Sequence, residues 1–150
     1  MPLIVVIETK NGISIMLEGH CECGCIKFIV DGDINQLSHC HCSQCRRLHG
    51  AAYATFARVA SVQFRYLSGA DVLKEYASSS DLKRIFCGAC GSNIMVTANY
   101  EPNYLYLAMG VIDENPITPE AYHIFVDSKA PWHTITDGAP QFDKFEPDQE

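Results

Sequence analysis

Eight cysteines in three short groups are the residues of this chain best suited to chemistry. The groups are Cys21/Cys23/Cys25, Cys40/Cys42/Cys45 and Cys87/Cys90. Cysteines two or three residues apart form strained disulfides, but their sulfurs converge easily on one metal ion. The apolar run from Leu3 to Ile7 is too short for a secretory signal, so we expect a cytoplasmic protein with reduced thiols. The spacing therefore predicts metal sites.

The first predicted site combines two tight turns. Cys21-x-Cys23-Gly24 and Cys87-x-x-Cys90-Gly91 each follow a strand-like segment, and each can supply two thiolates. Four thiolates close a tetrahedral zinc site, which is then structural because no position stays open for substrate. Binding of this kind contributes roughly 10–16 kcal/mol in small peptides, enough to join two halves of a domain. One alternative stays open, since Cys87 and Cys90 could instead join the middle group.

The second predicted site is the run Cys40-His41-Cys42-Ser43-Gln44-Cys45, which has three thiols within six residues. Three ligands leave a tetrahedral zinc one position short, which is the usual condition for an ion that meets substrate. Alternatively the site is closed by a fourth ligand; the candidates are His39, His41, His49 and Cys25. His41 lies between two ligands, so we expect its ring to point away and to orient a neighbour or move a proton.

Other candidate substrate contacts are basic or aromatic. They are Arg46 and Arg47, which follow Cys45 directly, and Trp132, His133, Tyr53 and Phe56. Guanidinium groups bind carboxylates, so Arg46 and Arg47 would anchor an anionic thiol unless they are simply solvated. The aromatic side chains either line a cleft or pack in the core. Cys25 is expected to be either a small buried residue or a labile extra thiol.

The elements that must position these residues are mostly strands. Ten short segments rich in β-branched and aromatic residues are predicted as strands: Leu3–Ile7, Ile13–Leu17, Ile26–Val30, Tyr53–Ala57, Val62–Tyr66, Val72–Tyr76, Lys83–Phe86, Asn93–Thr97, Tyr104–Met109 and Tyr122–Val126. Ser43 is predicted to cap a short helix that ends at Gly50, and a helical turn is predicted near Thr118-Pro119-Glu120. The pattern favours a mostly antiparallel β domain with little helix.

Length and charge exclude several classes of protein. A chain of 150 residues fits one domain, and 47% hydrophobic residues are enough for it to fold alone. A formal charge of −7 argues against a nucleic-acid partner, because phosphates are bound by dense Lys and Arg. No stretch approaches the ~18 apolar residues of a membrane span. We therefore expect a small-molecule partner, with no nucleic acid and no membrane.

Three ordered motifs resemble those of one family. Gly19-x-Cys21-x-Cys23-Gly24, Cys40-His41-Cys42-Ser43-x-Cys45-Arg46-Arg47 and Phe86-Cys87-x-x-Cys90-Gly91-Ser92 resemble the glutathione-dependent formaldehyde-activating enzyme / centromere protein V family. Ala130-Pro131-Trp132 and Asp137-Gly138-x-Pro140-x-Phe142 are similar to its C-terminal segment. The resemblance covers about 19–142, so we expect a zinc-binding domain there, with 1–18 as an N-terminal strand segment of the same domain and 143–150 as a loose acidic tail.

The resemblance implies a zinc-stapled β-tent of twisted antiparallel sheets. It implies one structural zinc on Cys21, Cys23, Cys87 and Cys90 and a second, catalytic or exchangeable zinc on Cys40, Cys42 and Cys45. It also implies a carbon–sulfur lyase that joins formaldehyde and glutathione to S-hydroxymethylglutathione. On this hypothesis His41 moves protons, and Arg46, Arg47 and Trp132 contact a glutathione-like thiol. The alternative is a non-enzymatic zinc-binding interaction module, or a redox or zinc sensor.

Overall fold

The chain is built mainly from β-strands. The structure is a computed structural model that describes residues 5–9, 12–113, 116 and 118–147. The described strands are β1 Val5–Thr9, β2 Gly12–His20, β3 Lys27–Asp31, β4 Leu37–Cys40, β5 Ala54–Ala60, β6 Phe64–Ser68, β7 Leu73–Ala77, β8 Leu82–Cys87, β9 Asn93–Ala98, β10 Tyr104–Ala108 and β11 Tyr122–Ile124. One α-helix, α1 Ser43–His49, and four short 3-10 turns at Ser61–Gln63, Ala70–Val72, Met109–Val111 and Val126–Ser128 complete the described elements.

The strands form two twisted sheets. The smaller sheet has the order β1-β2-β3-β6, and the larger has the order β11-β4-β5-β10-β9-β8-β7. All the pairings between these strands are antiparallel except that of β11 with β4, which is parallel. The predicted mostly β fold with little helix is therefore confirmed. Within the described residues, no helix is long and apolar enough to cross a bilayer.

The ten predicted strands overlap ten of the eleven observed ones, and β4 was missed. Residues 3 and 4 of the first predicted strand lie outside the described part of the chain. The predicted strand at Val62 begins later, because Ser61–Gln63 forms a 3-10 turn in which the Gln63 side chain accepts the Ala60 N–H at 3.2 Å. β4 has the sequence Leu-Ser-His-Cys, which lacks the run of β-branched or aromatic residues that marks the other strands.

Helix α1 forms where the sequence predicts it, but its cap is different. The N-cap residue is Cys42, whose Sγ accepts the Cys45 N–H at 3.3 Å, and not Ser43. A thiolate acceptor can satisfy a free N–H of the first turn as a hydroxyl would. The helix ends at Gly50 as expected. The turn predicted near Thr118 is wrong, since residues 118–120 have no helical structure.

The seven-stranded sheet has two different faces because side chains alternate along each strand. On one face Ala57 and Leu107 pack in the main core, which they share with Leu17 and Phe28 of the smaller sheet. The other face contributes to a second apolar cluster that includes Phe56 of β5 and the thiols Cys40 and Cys45. The second cysteine group therefore lies on the outer face of the larger sheet.

Both ends of the described chain are attached to the rest of the fold. β1 and β2 pair in the smaller sheet over five residues, from Val5↔Met16 to Thr9↔Gly12. Near the C-terminus Lys144 Nζ lies 2.5 Å from Asp127 Oδ2, and Glu146 accepts the Tyr122 hydroxyl at 2.6 Å. The boundaries 1–18, 19–142 and 143–150 stay a prediction.

Candidate metal centres and the cavity beside them

The turns after β2 and β8 meet and form a four-cysteine cluster. Its members are Cys21, Cys23, Cys87 and Cys90, whose sulfurs all lie within 4.8 Å of one another. The sulfurs of Cys21 and Cys23 are 3.5 Å apart, and those of Cys23 and Cys87 are 3.8 Å apart. A tetrahedron with zinc–sulfur bonds of about 2.3 Å has edges of about 3.8 Å. The four residues therefore fit a tetrahedral metal ion.

The backbone of both turns is arranged to favour thiolates. Gly24 and Gly91 adopt φ of 77° and 83°, a left-handed conformation in which a side chain is strained. The turns direct amides at sulfur, since the Ile26 N–H donates to Cys21 Sγ at 3.3 Å. Ser92 accepts the Glu22 N–H at 2.9 Å, which leaves its own hydroxyl to donate to Cys90 at 3.2 Å. Hydrogen bonds, of which that from the Ser92 hydroxyl has the largest effect, lower the pKa of Cys90 to about 5.

The second group forms a separate three-cysteine cluster. Cys40 ends β4, Cys42 caps α1 and Cys45 lies in its first turn, and the three sulfurs are within 4.8 Å of one another. Hydrogen bonds from Cys40 and Cys45 lower the pKa of Cys42, whereas hydrogen bonding to Cys42 and Cys45 raises the pKa of Cys40. Three thiolates this close need a cation to balance them, so the donor set suits a metal ion. Cys25 lies outside both clusters and is exposed, which removes the alternative that it is buried.

Arg84 is the basic side chain beside the three-cysteine cluster. It lies on β8, is only 5% exposed, and donates from Nη1 to Cys45 Sγ at 3.5 Å. Its other donors bind Gln44 Oε1 at 3.3 Å and Ser78 Oγ at 3.1 Å, which hold the guanidinium in place. A buried guanidinium needs an anionic partner, which the thiolates of a metal-loaded cluster would supply. Arg84 is not among the residues predicted from the sequence, where it is marked only by its place in a predicted strand, next to Lys83 and on the opposite face.

A cavity of about 340 Å³ opens beside the three-cysteine cluster. Strand register places Arg84, Val96, Tyr106 and Arg58 in one row across β8, β9, β10 and β5, and all four line the cavity. The other lining residues are Gln36, Ser38, Cys40, Cys42, Ser43, Gln44, Cys45, Phe56, Leu82, Tyr100, Tyr122, Ile124, Phe125 and Phe145. Phe56, one of the predicted cleft residues, is therefore in the wall.

Polar groups in the cavity wall are paired with two carboxylates, those of Glu101 and Glu146, that do not line it. Arg58 Nη2 donates to Glu101 Oε1 at 2.6 Å, and Tyr106 donates to the other carboxylate oxygen. Burial acts to raise the pKa of Glu101, but the hydrogen bonds from Arg58 and Tyr106 hold it below its usual value. Elsewhere in the wall, Gln36 and Tyr122 both donate to Glu146 Oε1, at 2.9 Å and 2.6 Å. Burial raises the pKa of both tyrosines, so their hydroxyls stay protonated at neutral pH.

His41 lies on the side of β4 away from the cavity. It is fully buried, and its Nε2 is 2.8 Å from Nδ1 of His123. His123 Nε2 is 3.0 Å from Asp137, which can only accept, so His41 donates to His123 and His123 to Asp137. Burial, helped by the nearby histidines, lowers the pKa of His41 to about 4. Tyr53 packs on this histidine group, with its ring 5.0 Å from that of His41.

The other predicted substrate contacts lie outside the cavity wall as the structure describes it. Arg46 and Arg47 are in the last turn of α1, where Arg46 is half-buried and Arg47 exposed. Trp132 is 71% exposed and contacts His133, whose ring stacks 6.2 Å from that of His41. The structure thus brings the seven predicted metal ligands into two clusters and leaves these three side chains apart from the cavity.

Comparison with known proteins adds a family assignment. The family model described as "Glutathione-dependent formaldehyde-activating enzyme" matches residues 16–128. A Halomonas elongata protein with the provisional name glutathione-dependent formaldehyde-activating enzyme is 27% identical over 127 residues, which are 80% of this chain and 81% of that protein. An uncharacterized lyase of Schizosaccharomyces pombe is 34% identical over 77 residues, 51% of this chain and 54% of the relative.

A solved structure is similar in fold. The crystal structure of a Rhodobacter sphaeroides protein matches with a TM-score of 0.57 and 26% sequence identity, and the match covers 66% of this chain and 91% of that one. The family match includes both cysteine turns of the four-cysteine cluster, the whole three-cysteine cluster and Arg84. This chain belongs to the glutathione-dependent formaldehyde-activating enzyme family.

Proposed function

We propose that the protein is a zinc-dependent carbon–sulfur lyase that acts on a glutathione or similar thiol adduct of formaldehyde or another small aldehyde. The observation that carries the proposal is the three-cysteine cluster, which offers three thiol ligands and lies in the wall of a cavity large enough for a substrate. Membership of the family and the name of the fission-yeast relative support the same reaction class.

Cys40, Cys42 and Cys45 would hold the catalytic zinc in this proposal. When bound, the ion would supply a position that favours the thiolate form of the substrate sulfur. Arg84 offsets the negative charge of the cluster through Cys45. Cleavage returns the electron pair of the carbon–sulfur bond to sulfur, and the hydroxyl proton passes to solvent water as the aldehyde carbonyl forms. Addition of the thiolate to the aldehyde is the reverse.

The remaining predicted contacts have proposed roles around this centre. Arg46 and Arg47 follow Cys45 on α1 and are proposed to bind the carboxylates of the thiol at the surface of the helix. His41 stays a predicted proton-transfer group, although its hydrogen-bonded partners His123 and Asp137 lie away from the cavity. Trp132 stays a predicted substrate contact. Because the chemistry needs reduced thiols, we propose a cytoplasmic location.

The four-cysteine cluster is proposed to hold a structural zinc. Two of its ligands follow β2 of the smaller sheet, one ends β8 of the larger sheet and one lies in the turn after β8, so an ion there would join both sheets. Its four ligands complete a tetrahedral shell and leave no position for substrate. This division predicts one tightly held zinc and one exchangeable zinc per chain.

The test combines metal analysis with an exchange assay. We expect two zinc ions per chain, with glutathione slowing removal of one of them by a chelator. We also expect the protein to accelerate exchange between formaldehyde and S-hydroxymethylglutathione, measured by NMR magnetisation transfer. Cys42→Ser should lose the glutathione-protected zinc and the acceleration but keep the other zinc and a cooperative melt. The proposal would be contradicted if the protein holds two zinc ions, glutathione does not slow the removal of either, and the exchange of formaldehyde is not accelerated.

A further inference from the structure

The cavity is larger and more apolar than a formaldehyde adduct requires. Its volume of about 340 Å³ falls within the range of about 300–1,000 Å³ that is typical of sites for drug-sized ligands. The hydroxymethyl group of a formaldehyde adduct has only two heavy atoms, so it would leave most of this space to water. Phe56, Val96 and Ile124 form an apolar floor near the cysteines. Water in contact with such a surface is readily displaced by an apolar group.

The charged groups of the cavity are already engaged. Within the described residues, the charged side chains that line it are Arg58 and Arg84. Arg58 is bound to Glu101 and lies over the Tyr104 ring at 3.4 Å, and Arg84 is bound to Cys45 and its neighbours. Glutathione carries two carboxylates and an ammonium group, which need charged or strongly polar partners. The peptide body of glutathione therefore fits the polar surface of α1 better than the cavity.

Aromatic side chains form the mouth of the cavity. Phe145 is 50% exposed and Tyr100 is 59% exposed, although both line the cavity. Phe125 contacts Phe145 edge to face, with ring centroids 4.9 Å apart. Phe125 also has φ of 56°, a conformation that costs free energy for a non-glycine residue and is held by hydrogen bonds such as that from its N–H to the Lys144 carbonyl at 3.1 Å. Exposed aromatic groups around a concave site are typical of apolar ligand binding.

We propose that this cavity takes an apolar substituent on the aldehyde half of the adduct. The substrate class is then the hemithioacetal that a glutathione-like thiol forms with an aliphatic or aromatic aldehyde of about six carbons, in keeping with the size of the site. This inference rests on the proposed function, because the three-cysteine cluster must receive the sulfur from which both halves extend. Phe145 and Tyr100 determine the preference at the mouth of the cavity.

Stable thioethers test the preference without turnover. S-methylglutathione and S-hexylglutathione share the peptide and the sulfur and differ by five methylenes. Each methylene that is buried should tighten binding about fourfold, so the hexyl compound should bind at least about tenfold more tightly to the zinc-loaded protein in calorimetry. Equal dissociation constants would overturn the inference. Hexyl methyl sulfide carries the same alkyl group without the peptide; if it binds as tightly, the cavity serves an apolar thiol and the assignment to the aldehyde half is wrong.

Variants locate the preference in the structure. Phe145→Ala and Tyr100→Ala should each reduce the hexyl-over-methyl ratio at least about threefold, since each removes part of an apolar wall. Tyr76→Ala is the matched control, because Tyr76 is 54% exposed on β7 and does not line the cavity. A ratio that is unchanged in both cavity variants, or reduced equally in the control, would overturn the placement of the substituent in this cavity.

Exchange kinetics separate this inference from the proposed lyase. With glutathione as the thiol, hexanal should exchange with a larger kcat/KM than formaldehyde. Exchange of formaldehyde alone, without a hexyl preference in binding, would overturn this inference and leave the lyase standing. A hexyl preference in binding without exchange of any aldehyde would contradict the lyase and keep the apolar site.

Discussion

Replacing Arg84 should weaken metal binding at the three-cysteine cluster and leave the four-cysteine cluster unchanged. Arg84 Nη1 lies 3.5 Å from Cys45 Sγ, and at this distance the attraction between two unit charges is about 5 kcal/mol at an effective dielectric constant of about 20. Desolvation of the buried guanidinium offsets much of that. A hydrogen bond to a charged group contributes about 1.5–3 kcal/mol net.

That free energy sets the size of the expected effect. A loss of about 1.5–3 kcal/mol corresponds to about a 10- to 150-fold rise in the dissociation constant of the ion held by the three-cysteine cluster. The expected range agrees with the roughly 10- to 100-fold loss that follows when residues supporting a metal ligand are replaced. Methionine is a suitable substitute, since Arg84→Met keeps much of the apolar length of the side chain and removes only the guanidinium.

The assay is competition with a chromophoric zinc chelator, which resolves two release steps per chain. Arg84→Met should raise the dissociation constant of the weaker step by this factor of about 10 to 150 and leave that of the tighter step unchanged. Lys83→Met removes the same charge from the adjacent residue, whose side chain is exposed and pairs with Glu75 at 3.3 Å, so both steps should match the wild type. The reasoning is refuted if the weaker step is unchanged in Arg84→Met, or if Lys83→Met shifts it equally.

Three further predictions concern the stability of the fold. Gly91→Ala should lower the free energy of unfolding by about 1–2 kcal/mol in urea titrations, because the φ of 83° at Gly91 is unfavourable for alanine. The control is Gly110→Ala, where an added Cβ meets nothing within 4 Å, and it should change the free energy of unfolding by less than about 0.5 kcal/mol. Equal losses in both variants would contradict the role of the turn. Burial acts to raise the pKa of Glu101, but the hydrogen bond from Arg58 holds it below its usual value. The Arg58–Glu101 pair therefore stabilises the fold fully above the unfolded pKa of about 4.3, and this stabilisation is lost as the pH falls through the lower pKa of the folded state. Glu101→Gln should therefore lower the free energy of unfolding by about 1–3 kcal/mol at neutral pH and by less at about pH 3. The control is Glu75→Gln at an exposed residue, which should lower it by less than about 1 kcal/mol at either pH. A loss for Glu101→Gln that stays constant across pH would be the contrary result. Titration with a strong chelator, with Tm measured by circular dichroism, should remove the first zinc with little change in Tm and lower Tm sharply as the second is removed. The reason is that the four-cysteine cluster joins both sheets and such an ion contributes about 10 kcal/mol or more. Loss of both ions without a change in Tm would exclude a structural role.

The ligand chemistry could be predicted from the sequence because it depends on short spacings. Cys21 and Cys23, or Cys87 and Cys90, converge through one turn each, and the left-handed glycine beyond each pair is a local requirement of that turn. Cys40, Cys42 and Cys45 likewise come together within one strand end and one helix cap. The structure then brings the two turns together across more than sixty residues, which the spacing within each turn leaves open.

Strand prediction succeeded where the local composition was clear and failed at β4. Its residues Ser38 and His39 are polar, yet the strand is central to the site because it ends in Cys40 and pairs with both β5 and β11. A strand of this kind is stabilised by its neighbours on either side and not by its own propensity. The N-cap of α1 is likewise Cys42 and not the predicted Ser43, because the preference for hydroxyl caps does not anticipate a cysteine sulfur at that position.

The sequence by itself determined which residues can bind metal, that they divide into two groups, that most of the chain is β-structure and, through its motifs, the family. Only the tertiary structure decided that Arg84 lies against Cys45, that the partner of His41 is His123, and that an apolar cavity opens beside the three-cysteine cluster. The reason is physical. A turn of four residues sets its own geometry, whereas the register of seven paired strands decides which side chains share a face, and a shift of one residue would reverse every one of them.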